Sequence, residues 1–199
     1  TKPVPCDEWA DPKRQLMGAA QEQWLFSGLA ASKSHWQVLG QQVMVGPYDS
    51  GPGPEVRVSM DQWSGYPAAR DRLLNTIAQR AANRTVVLTG DIHSNWVNEL
   101  RSDFSRPDRP VVAAEFVGTS IASGGDGNGE ANERMRTQLA ENPHIKWYQN
   151  RRGYYTCRVD AKEWLTDYKS VAYVTRAGAP LETASKWRVV HGKAGIERV

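Results

Sequence analysis

Apolar residues fall at helical spacing in two stretches of the chain. Across residues 12–32, Leu16, Ala20, Trp24 and Gly28 recur at i+4 with Met17, Leu25 and Leu29 beside them, and Pro12 suits a first helical turn, which predicts an amphipathic helix. Across residues 69–81, Ala69, Leu73, Ile77 and Ala81 form a second stripe flanked by Leu74 and Ala78, and Asn83 stops it. Residues 36–45 (WQVLGQQVMV) are rich in β-branched and aromatic side chains and predict a strand. Closely spaced Gly and Pro over residues 46–54 break any regular pattern. Residues 85–88 form a short, continuously apolar run, as expected of a central parallel strand covered on both faces. A helix followed by a buried strand predicts an α/β layer.

Beyond Gly90 the pattern changes. Residues 111–117 predict another apolar strand, and residues 118–129 are glycine-rich with Ser and Asp between, the texture of an active-site loop. A short helix is predicted over residues 131–141, stopped by Asn142 and Pro143. Strand-like segments follow at residues 154–159, 168–175 and 187–191, separated by turn residues such as Gly178 and Pro180. With no internal repeat and no low-complexity linker, residues 1–199 read as a single unit.

Composition narrows the function classes. At 199 residues the chain can bury a core of its own, whether as one domain or as half of a larger one. Its 25 Lys and Arg against 22 Asp and Glu leave a net charge of +3, scattered along the chain. That does not point to a nucleic-acid binder, and it suits capture of an anionic substrate. No apolar run approaches the roughly 20 residues of a membrane span, and residues 1–9 lack the apolar stretch of a signal peptide, so the chain reads as soluble. Cys6 and Cys157 are too far apart for a CxxC motif or a cysteine zinc cluster. A disulfide between them and a buried free thiol at Cys157 both stay open. Eight tryptophans suit either a densely packed interior or an aromatic-lined cleft.

The segment with chemistry is residues 86–96 (VVLTGDIHSNW), in which the buried strand runs into Gly90, Asp91, Ile92 and His93. Ligands of open α/β sheets bind beyond the carboxyl ends of the strands. If the backbone stays extended, Asp91 and His93 point to the same side, and a carboxylate with an imidazole can share one metal or hold two adjacent ones. The same spacing also suits a capping Asp beside a hydrogen-bonded His on an ordinary loop, and the spacing alone does not choose.

Six segments, in order, resemble the alkaline phosphatase D (PhoD-like) family: LMGAAQEQWL (16–25), HWQVLGQQVM (35–44), WSGYPAAR (63–70), LTGDIHSNW (88–96), EFVGTSIASGG (115–125) and NPHIKWYQNRRGYYTC (142–157). One departure is Ser64, where the family usually has Asp after Trp. The resemblance implies an α/β (α+β) fold that is the C-terminal portion of a four-layer α/β/β/α metallophosphatase-like sandwich. It implies metal-dependent hydrolysis of phosphomonoesters or phosphodiesters, in a periplasmic or secreted setting. In the wider superfamily the last metal motif is Gly-His-x-His, and this family has Asp for the first His, so Asp91 and His93 take the two ligand positions. Iron and calcium are the implied ions, with His93 toward iron and Asp91 toward calcium. Other family ligands lie in an N-terminal half with no counterpart here, so an upstream half is the implied partner.

Weaker candidates follow. His144, in NPHIK, can line the substrate cleft or orient a neighbouring loop. Arg151 and Arg152 can clamp phosphate oxygens with their planar forks, or be ordinary surface arginines. Ser120 and Ser123 can donate to phosphate or serve turn geometry, and His35 and His191 read as bystanders. A serine esterase of the Gly-Asp-Ser type is disfavoured because Ile92 stands where the nucleophile belongs, although Ser94 is near. The remaining alternative is a catalytically incomplete module that packs against another chain or binds anions without turnover.

Overall fold

The computed structural model describes residues 5–106 and 108–199. Its first sheet has the order β1-β2-β4-β3-β5, with β1 (Gln37–Gly40), β2 (Thr85–Thr89) and β4 (Val111–Val117) parallel. β3 (Asn95–Arg101) runs antiparallel to both β4 and β5 (Ile145–Gln149). Two helices, α1 (Ala19–Ala31) and α2 (Pro67–Arg80), cover one face, where Leu29, Leu73, Leu74 and Ile77 pack on Val87 and Leu100. Arg72 ties α2 to α1 through a two-pronged bond to the Glu22 carboxylate at 2.8 and 3.0 Å. A third helix, α3 (Glu133–Glu141), starts at Asn132, whose side chain accepts from the Met135 N–H.

The second sheet is wholly antiparallel, with β6 (Arg152–Val159), β7 (Glu163–Val171), β8 (Leu181–Val190) and β9 (Glu197–Arg198) in sequence order. In β7 the residues Trp164, Thr166, Tyr168 and Ser170 are buried while those between are half-buried, the period-2 signature of a sheet with one covered face. That face packs on the first sheet: Trp164, Tyr168, Trp187 and Val189 meet Val86, Val97, Ala114 and Phe116. The buried Tyr168 hydroxyl donates to the Trp96 carbonyl at 2.7 Å. The other face carries ion pairs, Asp167 with Lys169 and Lys186, and Arg188 with Glu163 and Glu197, so it is built to meet water. The chain thus forms α/β/β layers, three of the four implied by the resemblance. Four of the eight tryptophans are buried, Trp164 and Trp187 between the sheets, Trp63 under the helices and Trp96 in a smaller cluster with Met44, Val117 and Ile145.

Several elements differ from expectation. Residues 12–18 are not helical: the Asp11 carboxylate accepts from the Lys13 N–H, its carbonyl accepts from the Arg14 N–H, and Pro12 sits inside that turn. In α1 the i+4 stripe of Ala20, Trp24 and Gly28 faces outward, Trp24 being 71% exposed, and Leu25, Phe26 and Leu29 make the contacts. β1 ends at Gly40, and among the apolar residues 43–45 Met44 and Val45 are buried and Val43 half-buried, in a loop instead of a strand. β7 lies earlier than residues 168–175 because Thr166 and Ser170 fill inward positions and mask the alternation. β3 and β5 escaped notice for a related reason, since β3 buries Asn95, Asn98 and Glu99. Cys6 and Cys157 are both free and exposed. Cys157 pairs opposite the buried Thr166, whose Oγ1 lies 3.8 Å from its Sγ, but β6 is an edge strand and the residue stays exposed.

The buried loop is explained by Glu115, midway along β4 and 0% exposed. Its carboxylate accepts from the Val45 N–H (2.7 Å), the Gly46 N–H (2.9 Å), Thr89 Oγ1 (2.9 Å) and Asn98 Nδ2 (2.8 Å). Burial pushes its pKa up, and these four donors oppose the rise. Gly46 is required for the approach: a Cβ there would come within 2.9 Å of Asn98 Nδ2 and 3.1 Å of the Glu115 carboxylate. Replacing Glu115 by Gln turns one acceptor into a donor facing donors. The expected cost is about 3 kcal/mol, since each hydrogen bond to a charged group is worth roughly 1.5 to 3 kcal/mol and unpaired buried donors add to the loss. Thermal unfolding should fall by about 6 to 12 °C for a chain of this size; an unchanged midpoint would mean that loop 41–46 holds itself in place.

Candidate active site

The site forms where loops leave the carboxyl ends of β1, β2 and β4. After β2 the chain turns sharply: the Ile92 N–H donates to the Gly90 carbonyl at 2.9 Å, and the Gly90 N–H donates to Gln42 at 3.2 Å. Asp91 and His93 therefore have left-handed backbones, φ 69° and 55°, not the extended conformation expected for them. Each such residue costs about 1 to 2 kcal/mol for an L amino acid and persists only where its surroundings hold it. Both side chains are exposed, and Asp91 Oδ2 lies 3.5 Å from Gln62 Nε2.

Gln62 is placed by a chain of contacts that begins at Glu115. Thr89, which donates to Glu115, accepts from Gln41 Nε2 at 2.9 Å, and Gln41 Oε1 accepts from Trp63 Nε1 at 3.0 Å. Trp63 opens a short 3-10 turn, Trp63–Gly65, directly after Gln62. Ser64 is buried in that turn, and its carbonyl accepts from Trp9 Nε1. On the other side, Gly118 ends β4 beneath Tyr155, whose ring would lie 2.8 Å from a Cβ at that position. The glycine-rich loop then folds back so that Ser120 Oγ donates to the Ser123 carbonyl.

The other sequence candidates separate clearly. Arg152 is 4% exposed, and its Nη1 and Nη2 donate to the carbonyls of His93, Ser123 and Asn150 and to Ser120 Oγ, while its Nε is buried without a partner among the described residues. It lies beside the D-x-H turn, but its guanidinium is turned into the protein. Arg151 is half-buried, with Glu182 at 3.8 Å. His144 lies one strand length away, because Asn95 pairs with Gln149 while the Glu99 N–H donates to the His144 carbonyl at the far end of β5. Its imidazole bonds the Pro47 carbonyl at 2.7 Å and meets Phe104 edge-on, the loop-orienting role. His35 and His191 stack on each other with centroids 3.6 Å apart, where β8 meets the residues ahead of β1. Ser94 is buried and accepts from Trp96 Nε1 at 2.8 Å, which does not suit a nucleophile.

Two donors, a carboxylate oxygen and an imidazole nitrogen, suit hard or borderline metal ions. Among the described residues no group of three or more His, Cys, Asp or Glu is gathered that could hold an ion alone. Asp91 and His93 fit as part of a metal site and not as the whole of one. Sequence reasoning missed Gln62 and Glu115. The signal for Glu115 was present, since an acid inside the apolar strand VVAAEFV is costly unless several donors meet it.

Layered sheets, a parallel strand ending in a D-x-H turn and a glycine-rich loop beside it define a mixed α/β layered sandwich with its candidate site at the strand ends. The chain belongs to the PhoD-like phosphatase family, whose model matches residues 1–168. It is 42% identical over 197 residues to alkaline phosphatase D of Bacillus subtilis (strain 168), a match covering 98% of this chain and 33% of that protein. A solved structure of PhoD superposes with a TM-score of 0.93 at 39% identity, covering 100% of this chain and 38% of that one. The chain thus spans about a third of the length of these relatives.

His144 provides a pH test of its structural role. Burial, with Arg70, Arg101 and Lys146 nearby, lowers its pKa to about 4, and the Pro47 bond only partly offsets this. The folded state therefore binds this proton less tightly than the unfolded state, whose His has a pKa of about 6.5. The His144 contribution is complete above that value and is lost as pH falls toward 4, by up to roughly 3 kcal/mol. Urea unfolding of wild type and His144→Asn at pH 7, 5.5 and 4.5 should show a smaller acid loss in the variant. Equal losses would show that His144 does not titrate on unfolding.

Proposed function

We propose that this chain supplies the C-terminal share of the active site of a metal-dependent phosphoesterase, an alkaline phosphatase D-like hydrolase of phosphomonoesters or phosphodiesters acting in the periplasm or outside the cell. The observation that carries this reading is the strained D-x-H turn, with two exposed metal-type donors at the carboxyl ends of parallel strands, in a chain of this family. His93 is assigned to iron and Asp91 to calcium. A bound ion supplies Lewis-acid polarisation of the phosphoryl oxygens and a water of lowered pKa. The chain's own part is to hold the donors still: Glu115 pins the loop against which Gly90 bonds, and Gln62 reaches Asp91 from the opposite side.

The remaining donors are assigned to an upstream segment. Support comes from the share of the relatives covered, about a third, and from two edge strands with uncovered apolar residues. Val38 on β1 is 48% exposed although its register partner Val86 is buried between the sheets, and Val159 on β6 is 44% exposed opposite the buried Trp164. The two edges share a flank, because Asp160 and Ala161 after β6 bond to Trp36 and His35 ahead of β1. No helix among the described residues is long and apolar enough to cross a membrane.

In the full-length protein, His93→Ala should lower metal affinity by more than the roughly 10- to 100-fold typical of an outer-shell partner, with the fold near intact. Iron and calcium per chain at wild-type levels would remove His93 from the site. Residues 1–199 made alone, with both metals added, should not turn over a chromogenic phosphodiester, whereas the chain joined or mixed with an upstream half should. Chelator-sensitive turnover by the isolated, folded chain would show that it gathers a whole site by itself. No turnover in either form would leave a module that binds anions without catalysis.

A further inference from the structure

We infer that Arg152 is a positioning residue: one buried guanidinium fixes the main chain of His93 and the glycine-rich loop in a single geometry, and so decides where the His93 imidazole stands. This rests on the reading of His93 as a metal donor. Arg152 opens β6, at an edge of the second sheet, yet is 4% exposed. Its Nη1 donates to the His93 carbonyl at 2.6 Å, to Ser120 Oγ at 3.0 Å and to the Ser123 carbonyl at 3.1 Å, and its Nη2 donates to the Asn150 carbonyl at 2.5 Å. These acceptors belong to three separate segments: the turn after β2, the loop after β4 and the junction of β5 with β6. All four are neutral, so the charge is spread over fixed dipoles in charge-assisted bonds, the two hydrogens of Nη1 being shared among its three acceptors.

The His93 carbonyl is the handle on a strained residue. A left-handed L residue relaxes unless its surroundings over-determine it, and Arg152 grips the residue whose φ is 55°. With that carbonyl held, the imidazole is free only about its own side-chain torsions. The same cation holds Ser120 and Ser123, so the two loops flanking the candidate metal position cannot move independently. A substrate clamp would need donors open to the ester, whereas the donors named here are spent inward. Lysine cannot replace the fork, because one ammonium on a flexible stem does not reproduce a planar guanidinium.

The test uses the full-length protein with Arg152→Lys, Arg152→Gln and Arg152→Gly, beside wild type and His93→Ala. Measured are metal affinity by titration with iron and calcium, kcat and KM for a chromogenic phosphodiester, proteolysis within residues 118–129, and the unfolding midpoint. We expect metal affinity in the Arg152 variants to fall by about 10- to 100-fold, as for partners that orient metal ligands. kcat should fall with it while KM stays put, and the loop should be cut faster. Added methylguanidinium should restore part of the metal affinity of Arg152→Gly, which a general loss of stability would not allow. If Arg152→Gln or Arg152→Gly does not fold, Arg152→Lys carries the test, since it keeps the charge and loses the fork. A raised KM at wild-type metal affinity makes Arg152 a substrate clamp and overturns the inference. So does metal loss that merely tracks the unfolding midpoint and ignores methylguanidinium. Wild-type metal binding in His93→Ala would sink the metal-donor reading itself. Metal loss in His93→Ala with Arg152 variants at wild-type values would sink only the positioning role.

Discussion

A carboxylate buried in the middle of a mixed sheet is tolerable only if donors replace the water it has lost, and at Glu115 four neutral donors do so. Satisfying that one group dictates much of the surrounding architecture. Val45 and Gly46 must bring their N–H groups down onto β4, so the chain cannot continue β1 as a strand past Gly40. Residue 46 must lack a side chain, because Asn98 and Glu115 fill the space a Cβ would take. Thr89, committed to Glu115, presents its remaining oxygen capacity to Gln41, and Gln41 passes the constraint to Trp63.

On this frame sits a second constraint of opposite character. Asp91 and His93 occupy a backbone region that L residues avoid, and they do so with only Ile92 between them, just past the end of a buried strand. The frame supplies rigidity and the turn spends it, leaving both donors exposed at the strand end where an extended strand would have placed them on one face of the sheet. Arg152 closes the arrangement from the second sheet, so the candidate site is a joint between the layers and not a property of one loop.

The layering also explains why the chain looks open on one flank. The edge strands β1 and β6 carry exposed apolar residues, Val38 and Val159, while the outer face of the second sheet is laced with ion pairs. Exposed surface pairs contribute little stability. The contrast between those edges and that face accords with a chain that spans about a third of its relatives' length.

Sequence by itself determined the elements whose signal is local. α2 followed from an unbroken apolar stripe, β2 and β4 from continuous apolar runs, α3 from its stop at Asn142 and Pro143, and the glycine-rich loop from its residue types. It failed where polar groups take inward positions, as in β3 and β7, because a pattern of apolar residues cannot reveal a buried Asn, Thr or Ser satisfied across the fold. It also could not tell that the apolar residues 43–45 are covered as a loop, or that His144 faces Pro47 and Phe104 at the far end of β5. The conformation of Asp91 and His93, the inward turn of Arg152 and the four donors on Glu115 were decided only by tertiary structure. Each depends on groups tens of residues away in the chain, and hydrogen bonds between such groups leave no periodicity in sequence to be read.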